Sequence, residues 1–376
     1  MARPLKRQPW RWPQRLRKNP QFVLVLALLM LCGWAIFMAL IPGQVQFETR
    51  LVASQLSFTT HDIQKPFLRG VPVTALSLEG QQDQPLTLVG EFLNEPFQDL
   101  TALTLELPYA DSRLVIRPQL GAEGASPAML LTELQLQPST QVSDLSYNLN
   151  TNQLALTFTQ PQDLPPTAPA LLRLNLAPQP FEVDLEGYRL PDLGLEEASM
   201  TQPRRVVFIP PGNEWQPPLP LEGKLALTLP VALEADGADW FWGDLGVKDV
   251  NFVAWRSTGR RVEEEVALST IRSGQLRMLD QELTLEADQF LIVQKPGIQR
   301  LRALKLLPAA GIEVRAVGHT SEVEVGLDPN FPIQGIGANF WEQRLPPHRV
   351  VALLSFAGAM LASLLAWLVD NLFKDS

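Results

Sequence analysis

The sequence predicts a mainly β protein: two antiparallel β-sandwich-like extracytoplasmic domains held between an N-terminal and a C-terminal transmembrane helix. Three observations predict it. The middle of the chain alternates apolar and polar residues with period two, two apolar runs without any charge flank that middle, and seven cations precede the first run. With 376 residues and 46% hydrophobic content, the chain has material for sizeable cores.

Residues 1–20 form the basic tail. Arg3, Lys6, Arg7, Arg11, Arg15, Arg17 and Lys18 stand there without an acidic residue. Basic flanks stay in the cytoplasm, so this tail is expected on the cytoplasmic side. Residues 21–41, "QFVLVLALLMLCGWAIFMALI", are the first transmembrane helix. About 20 apolar residues suffice to cross roughly 30 Å of hydrocarbon. The run exceeds the about 7–15 residues of a signal-peptide core, and no A-x-A site follows, so it reads as a signal-anchor. Cys32, the single cysteine, lies inside it, so no disulfide can brace the rest.

Residues 44–208 are the first β domain. "VTALSLEG" (73–80), "QLALTFTQ" (153–160) and "FEVDLEG" (181–187) alternate as strands buried on one face do. The Pro-rich "IPPGNEWQPPLP" marks residues 209–220 as a linker, because stacked prolines stiffen a chain and cannot join a central sheet. Residues 221–345 are the second β domain, with runs such as "KLALTLPV" (224–231) and "IEVRAV" (312–317). Within it, "IQRLRALKLL" (298–307) fits a short helix as well as a strand, and "GIGAN" (335–339) reads as a flexible turn. Residues 350–369, "VVALLSFAGAMLASLLAWLV", are the second transmembrane helix, which returns residues 370–376 to the cytoplasm. Phe340 and Trp341 just before it read as headgroup-level anchors. The absence of an Asn-x-Ser/Thr sequon fits a bacterial or organellar source.

Charge limits the partners. The segment between the spans holds 23 basic and 38 acidic residues, a net of −15. So acidic a surface repels nucleic acid, which excludes DNA and RNA as its partners.

Local catalytic motifs are lacking: there is no P-loop, G-x-G-x-x-G or G-x-S-x-G, and His61, His319 and His348 have no companions at metal-ligand spacing. No enzyme activity and no cofactor is expected on that basis. "EADGADWFWGDLG" (234–246) is the most unusual stretch. Asp236, Asp239 and Asp244 offer oxygens for calcium, although their spacing departs from the helix–loop–helix pattern. Trp240, Phe241 and Trp242 are either a core plug beneath a loop or an exposed patch that meets a partner, a glycan or the membrane surface.

The second span carries two rows of small residues at four-residue steps: Gly358, Ala362 and Ala366, and Ser355, Ala359 and Ser363. Such rows let helix backbones approach closely in lipid. They imply packing on the first span, on another membrane protein or on a second copy. The expected partners are thus the bilayer and one more membrane helix. The leading expectation is a membrane-anchored scaffold, assembly factor or accessory subunit. A tethered carbohydrate- or ligand-binding module comes second, and an enzyme with carboxylates gathered from distant strands third.

Overall fold

A computed structural model describes residues 20–61, 66–119, 129–161, 170–193, 204–212, 214–230, 239–257, 265–307 and 310–373. The chain divides into two compact units: residues 1–45 with 337–376, and residues 46–336.

The larger unit is built of antiparallel strands, fifteen of which form one continuous sheet. Six come first in spatial order: Gln281–Leu285, Ile271–Met278, Val45–Ala53, Gly311–Thr320, Gly297–Leu307 and Asp239–Asn251. The other nine follow: Gln55–Thr60, Gln141–Asn148, Gln153–Thr159, Glu222–Thr228, Ala75–Glu79, Arg113–Pro118, Phe181–Glu186, Arg204–Ile209 and Glu91–Phe92. Alternation fixes which face each strand buries. Leu154, Leu156 and Phe158 are fully covered, while Ala155 and Thr157 between them are half-covered.

The chain passes between the two halves of the sheet twice. Val45–Ala53 continues through a bend at Ser54, whose N–H donates to Thr270 O (2.9 Å), into Gln55–Thr60, which belongs to the other half. Asp239–Asn251 exchanges partners within one strand. Its first part lies opposite Gly297–Leu307, from Asp239↔Lys305 to Gly246↔Arg300, and its last part opposite Gln55–Thr60, from Val247↔Thr60 to Asn251↔Ser57. Bulges interrupt the register in both parts, which is how a strand turns from one sheet direction to another.

This pairing replaces the expected boundary at residues 209–220. Glu222–Thr228 lies in the middle of the nine-strand half, between Gln153–Thr159 and Ala75–Glu79. Val45–Ala53, expected in the first domain, lies between Ile271–Met278 and Gly311–Thr320. The prolines act at an edge instead. Glu214–Trp215 borders a four-stranded sheet beside Leu171–Leu176, with Met129–Gln135 and Pro66–Val73 beyond, and Pro218 bridges Leu171. An edge position tolerates proline because half of its N–H groups need no partner.

The four-stranded sheet covers the larger one through Phe67 against Phe58, with ring centroids 5.7 Å apart and both side chains almost fully buried. Burying each such ring contributes about 1.5–3 kcal/mol. A second aromatic group, Phe92, Phe181 and Phe208, closes the far end of the nine-strand half, with Phe92 stacked on Phe208 at 5.8 Å. Residues 298–307, open between helix and strand by sequence, form the strand Gly297–Leu307, whose two ladders leave a helix no room.

The smaller unit holds two helices, α1 (Pro20–Ala39) and α2 (Pro347–Phe373). Over Pro347–Asp370, α2 is long and apolar enough to cross a membrane, with only 11% of that window buried. The apolar stretch of α1 is shorter, Val23–Ala39. Cys32 and Ala35 of α1 meet Ala357 of α2 in a buried cluster, flanked by Ile36, Trp341, Leu353, Met360 and Leu361.

Candidate functional site

Two arrangements carry side chains in positions that packing alone does not require. The first is the stem where the helices of the smaller unit meet. Leaving α1, Ile41 O accepts from Phe340 N–H (2.9 Å), and Gly43 N–H donates to Ala338 O (3.0 Å), with Pro42 and Asn339 paired between them. The backbones are so close that a Cβ on Gly43 would lie 2.2 Å from Asn339 O. Trp341 fixes the stem to α1. Its indole Nε1–H donates to Ala35 O (2.8 Å), and its ring meets Trp34 edge-on at 5.8 Å. Asn339 in turn caps the following turn. Its Oδ1 accepts from the N–H groups of Trp341 (3.0 Å) and Glu342 (3.1 Å), while Glu342 Oε2 accepts from Asn339 N–H (2.8 Å). This is the reciprocal capping box, and its Asn-x-x-Glu spacing is readable in the sequence.

"GIGAN" is therefore no flexible turn: Gly335 and Gly337 belong to the strand Phe331–Gly337, and Asn339 is a cap. Trp341, expected only as a headgroup anchor, ties the two helices together.

The small-residue rows of α2 do not make its contact with α1. Leu353, Ala357, Met360 and Leu361 do, a spacing of three to four residues along one face. Ser355, Ala359, Ala362, Ser363 and Ala366 are exposed, and Gly358 has open space where a Cβ would stand. Ser363 Oγ returns to the helix, donating to Ala359 O (2.9 Å). Large apolar side chains stand out from both helices as well, among them Met30 at 68% exposure, Leu31 at 62% and Phe356 at 67%.

The second arrangement is a pocket of about 250 Å³ in the larger unit, between the end of Asp239–Asn251 and the strand Phe290–Val293 with the loop after it. No sequence motif announced it. The break in alternation at Asp249 was its one local sign.

Of the expected calcium ligands, only Asp244 has a described side chain. Asp236 lies outside the described residues. Asp239 opens its strand opposite Lys305, and Asp244 is held by Arg300 (2.6 Å) and Arg302 (3.7 Å). The backbone of Trp240, Phe241 and Trp242 runs in the same strand, with Phe241 opposite Leu304 and Trp242 opposite Ala303; their side chains lie outside the described part. Among the described residues no group of three or more His, Cys, Asp or Glu converges as a metal site would require.

Among the described residues the most buried carboxylate is Glu313, in Gly311–Thr320. Arg50 donates to it through Nε (2.8 Å) and a terminal nitrogen (2.9 Å), and Arg315 through Nε (3.0 Å). Burial pushes the Glu313 carboxyl up, but the hydrogen bonds and charges of the two arginines outweigh it and hold the pKa below the ordinary glutamate value. Both arginines serve this carboxylate, so the group braces the sheet rather than presenting an acid to solvent.

Comparison of the chain with protein-family models, with curated proteins and with solved structures finds no match in any of the three.

Proposed function

We propose that the protein is a membrane-anchored interaction protein, a scaffold or accessory subunit of a membrane complex. In this reading α1 and α2 both span the bilayer, and the β unit stands on the side opposite both termini. The 20 residues of α1 reach about 30 Å at a rise of about 1.5 Å each, the thickness of the hydrocarbon core. The seven cations before α1 orient it with its start in the cytoplasm. The exposed Met30, Leu31 and Phe356 suit lipid tails and are costly in water.

One observation carries the interaction role. α2 contacts α1 through Leu353, Ala357, Met360 and Leu361, which leaves Ser355, Ala359, Ala362, Ser363 and Ala366 free for a further helix. Helix association in lipid depends on close backbone approach, and small residues permit it. The occupant of that face is another membrane protein.

Affinity purification from gently solubilised membranes tests this. The wild-type chain should retain a stoichiometric membrane partner, and Ala362→Leu should lose it while still inserting, since leucine is favoured in hydrocarbon. Recovery of the wild-type chain alone, or equal recovery of a partner by Ala362→Leu, would remove the reading.

A further inference from the structure

The pocket in the larger unit points to a binding site for a peptide. We infer that it receives one large apolar side chain of an extended segment of a partner protein, whose main chain continues along the ribbon Val253–Ser257 and Glu265–Ser269. This deepens the interaction reading on a surface separate from the α2 face.

Size selects the occupant first. About 250 Å³ lies below the roughly 300–1,000 Å³ of small-molecule and cofactor sites, so the space suits one side chain better than a whole ligand. The floor is apolar: Phe252 and Ile298 are both buried, and Leu291 and Val293 stand half-buried beside them.

The rim carries opposite charges. Asp249 sits where the ladder of Asp239–Asn251 with Gln55–Thr60 breaks between Lys248 and Asn251. Its φ of 54° is left-handed, a conformation that aspartate tolerates better than most residues. Bulges of this kind re-aim side chains, and here the aspartate lines the pocket. Lys295 lines it from the loop that follows Phe290–Val293. Among the described residues neither Asp249 nor Lys295 takes part in an ion pair or a side-chain hydrogen bond. One carboxylate with one ammonium leaves a plain anion or cation half-matched. A peptide backbone matches both, its N–H donating to Asp249 and its C=O accepting from Lys295.

The neighbouring ribbon selects an extended conformation. Among the described residues its two strands pair only with each other, from Val253↔Ser269 to Ser257↔Glu265, and neither outer edge has a partner strand there. A two-stranded ribbon is marginally stable alone, and an unpaired edge is where a further strand adds. Its side chains are apolar where water would call for polar ones: Trp255 is 63% exposed, Val266 45% and Leu268 38%. Phe252 in the pocket floor directly precedes the strand Val253–Ser257, so a strand added along the ribbon edge ends beside the pocket mouth.

The test is to pan a phage-displayed library of random linear peptides on the full chain in lipid nanodiscs. The selected peptides should share one large apolar position, and a synthetic peptide from that set should bind the wild-type chain. Leu291→Trp, which fills the pocket, should weaken it at least about tenfold, equivalent to ~1.4 kcal/mol. Asp249→Asn, Lys295→Ala and Trp255→Ala should each weaken it several-fold, and the distant exposed Val89→Ser should not. If Leu291→Trp does not fold, Lys295→Ala and Asp249→Asn decide alone. Failure to enrich an apolar position overturns the inference, as does affinity unchanged in the folded pocket variants. An anilinonaphthalene dye that binds wild type and not Leu291→Trp, with no peptide enriched, also overturns it and assigns the pocket to a small amphiphile. Ala362→Leu should bind the peptide normally while losing its membrane partner, which separates failure here from failure of the helix-docking reading.

Discussion

Adding a single methyl group at Gly43 should open the stem between the two helices. An alanine Cβ there would lie 2.2 Å from Asn339 O, 2.5 Å from its carbonyl carbon and 2.9 Å from Phe340 Cα. All three are backbone atoms, so no side-chain rotation relieves the contact; the two segments must separate by about 1 Å. Separation on that scale breaks the bonds from Gly43 N–H to Ala338 O and from Phe340 N–H to Ile41 O. Two lost hydrogen bonds cost about 1–3 kcal/mol together and the overpacking about 1–3 more, so Gly43→Ala should cost about 2–6 kcal/mol locally. Hydrogen exchange by mass spectrometry in nanodiscs reads this directly. Peptides containing Gly43 and Phe340 should exchange at least about tenfold faster, because each ~1.4 kcal/mol is a factor of ten. Gly33→Ala in α1 is the control. Its Cβ meets nothing within 4 Å, and alanine favours a helix by about 0.5–1 kcal/mol over glycine. Exchange in Gly43→Ala within twofold of wild type would refute the close-contact reasoning.

The indole hydrogen bond gives a graded series. Trp341→Phe should lose the bond to Ala35 O, about 0.5–1.5 kcal/mol, whereas Trp34→Leu should lose only the edge-on ring contact, again about 0.5–1.5 kcal/mol; detergent-titrated unfolding of both and of Trp341→Ala, the most affected, checks the order. Glu313 predicts an acid limb. Its pKa is lowered on folding, so its contribution is present above the ordinary glutamate pKa and is lost as pH falls through the lowered folded value. Glu313→Gln should therefore cost about 1–3 kcal/mol at neutral pH in denaturant titrations and flatten that limb, with the gap to wild type closing in strong acid. On α2, Leu361→Ala should weaken packing on α1 and leave partner capture intact, while Ala362→Leu does the reverse; co-purification and crosslinking between Cys32 and a cysteine placed at Ala357 distinguish them.

Much of the secondary structure was legible because burial and alternation are the same fact. Leu154, Leu156 and Phe158 are apolar and buried, with polar or small neighbours between them, and period two shows this without knowledge of any partner strand. Pairing was not legible. Thr49 bonds to Gln275 O across 226 residues, and nothing local in either segment specifies the other. The same gap hid the partner exchange in Asp239–Asn251 and made the prolines at 217, 218 and 220 look like a domain boundary instead of a sheet edge. Within α2, small residues advertised close packing, yet α1 is met by Leu353, Ala357, Met360 and Leu361, because Cys32 and Ala35 already supply the thin side chains on the other helix. At the stem, Asn339 and Glu342 carried a readable capping signature, whereas the role of Trp341 depends on a carbonyl 306 positions away. The pocket formed by Asp249, Lys295 and Ile298 combines segments that only the assembled sheet brings together.

Sidedness tests the central claim most directly. Tags placed at the N-terminus, at the C-terminus and at residue 200 can be probed in intact cells or sealed vesicles with an impermeant reagent. A protein anchored by both helices should show both termini on the cytoplasmic side and the residue-200 tag on the opposite side. A C-terminus found on the same side as residue 200 would contradict the account, since α2 would then lie outside the bilayer or lack a return crossing, and its small-residue face would no longer be available to a membrane partner.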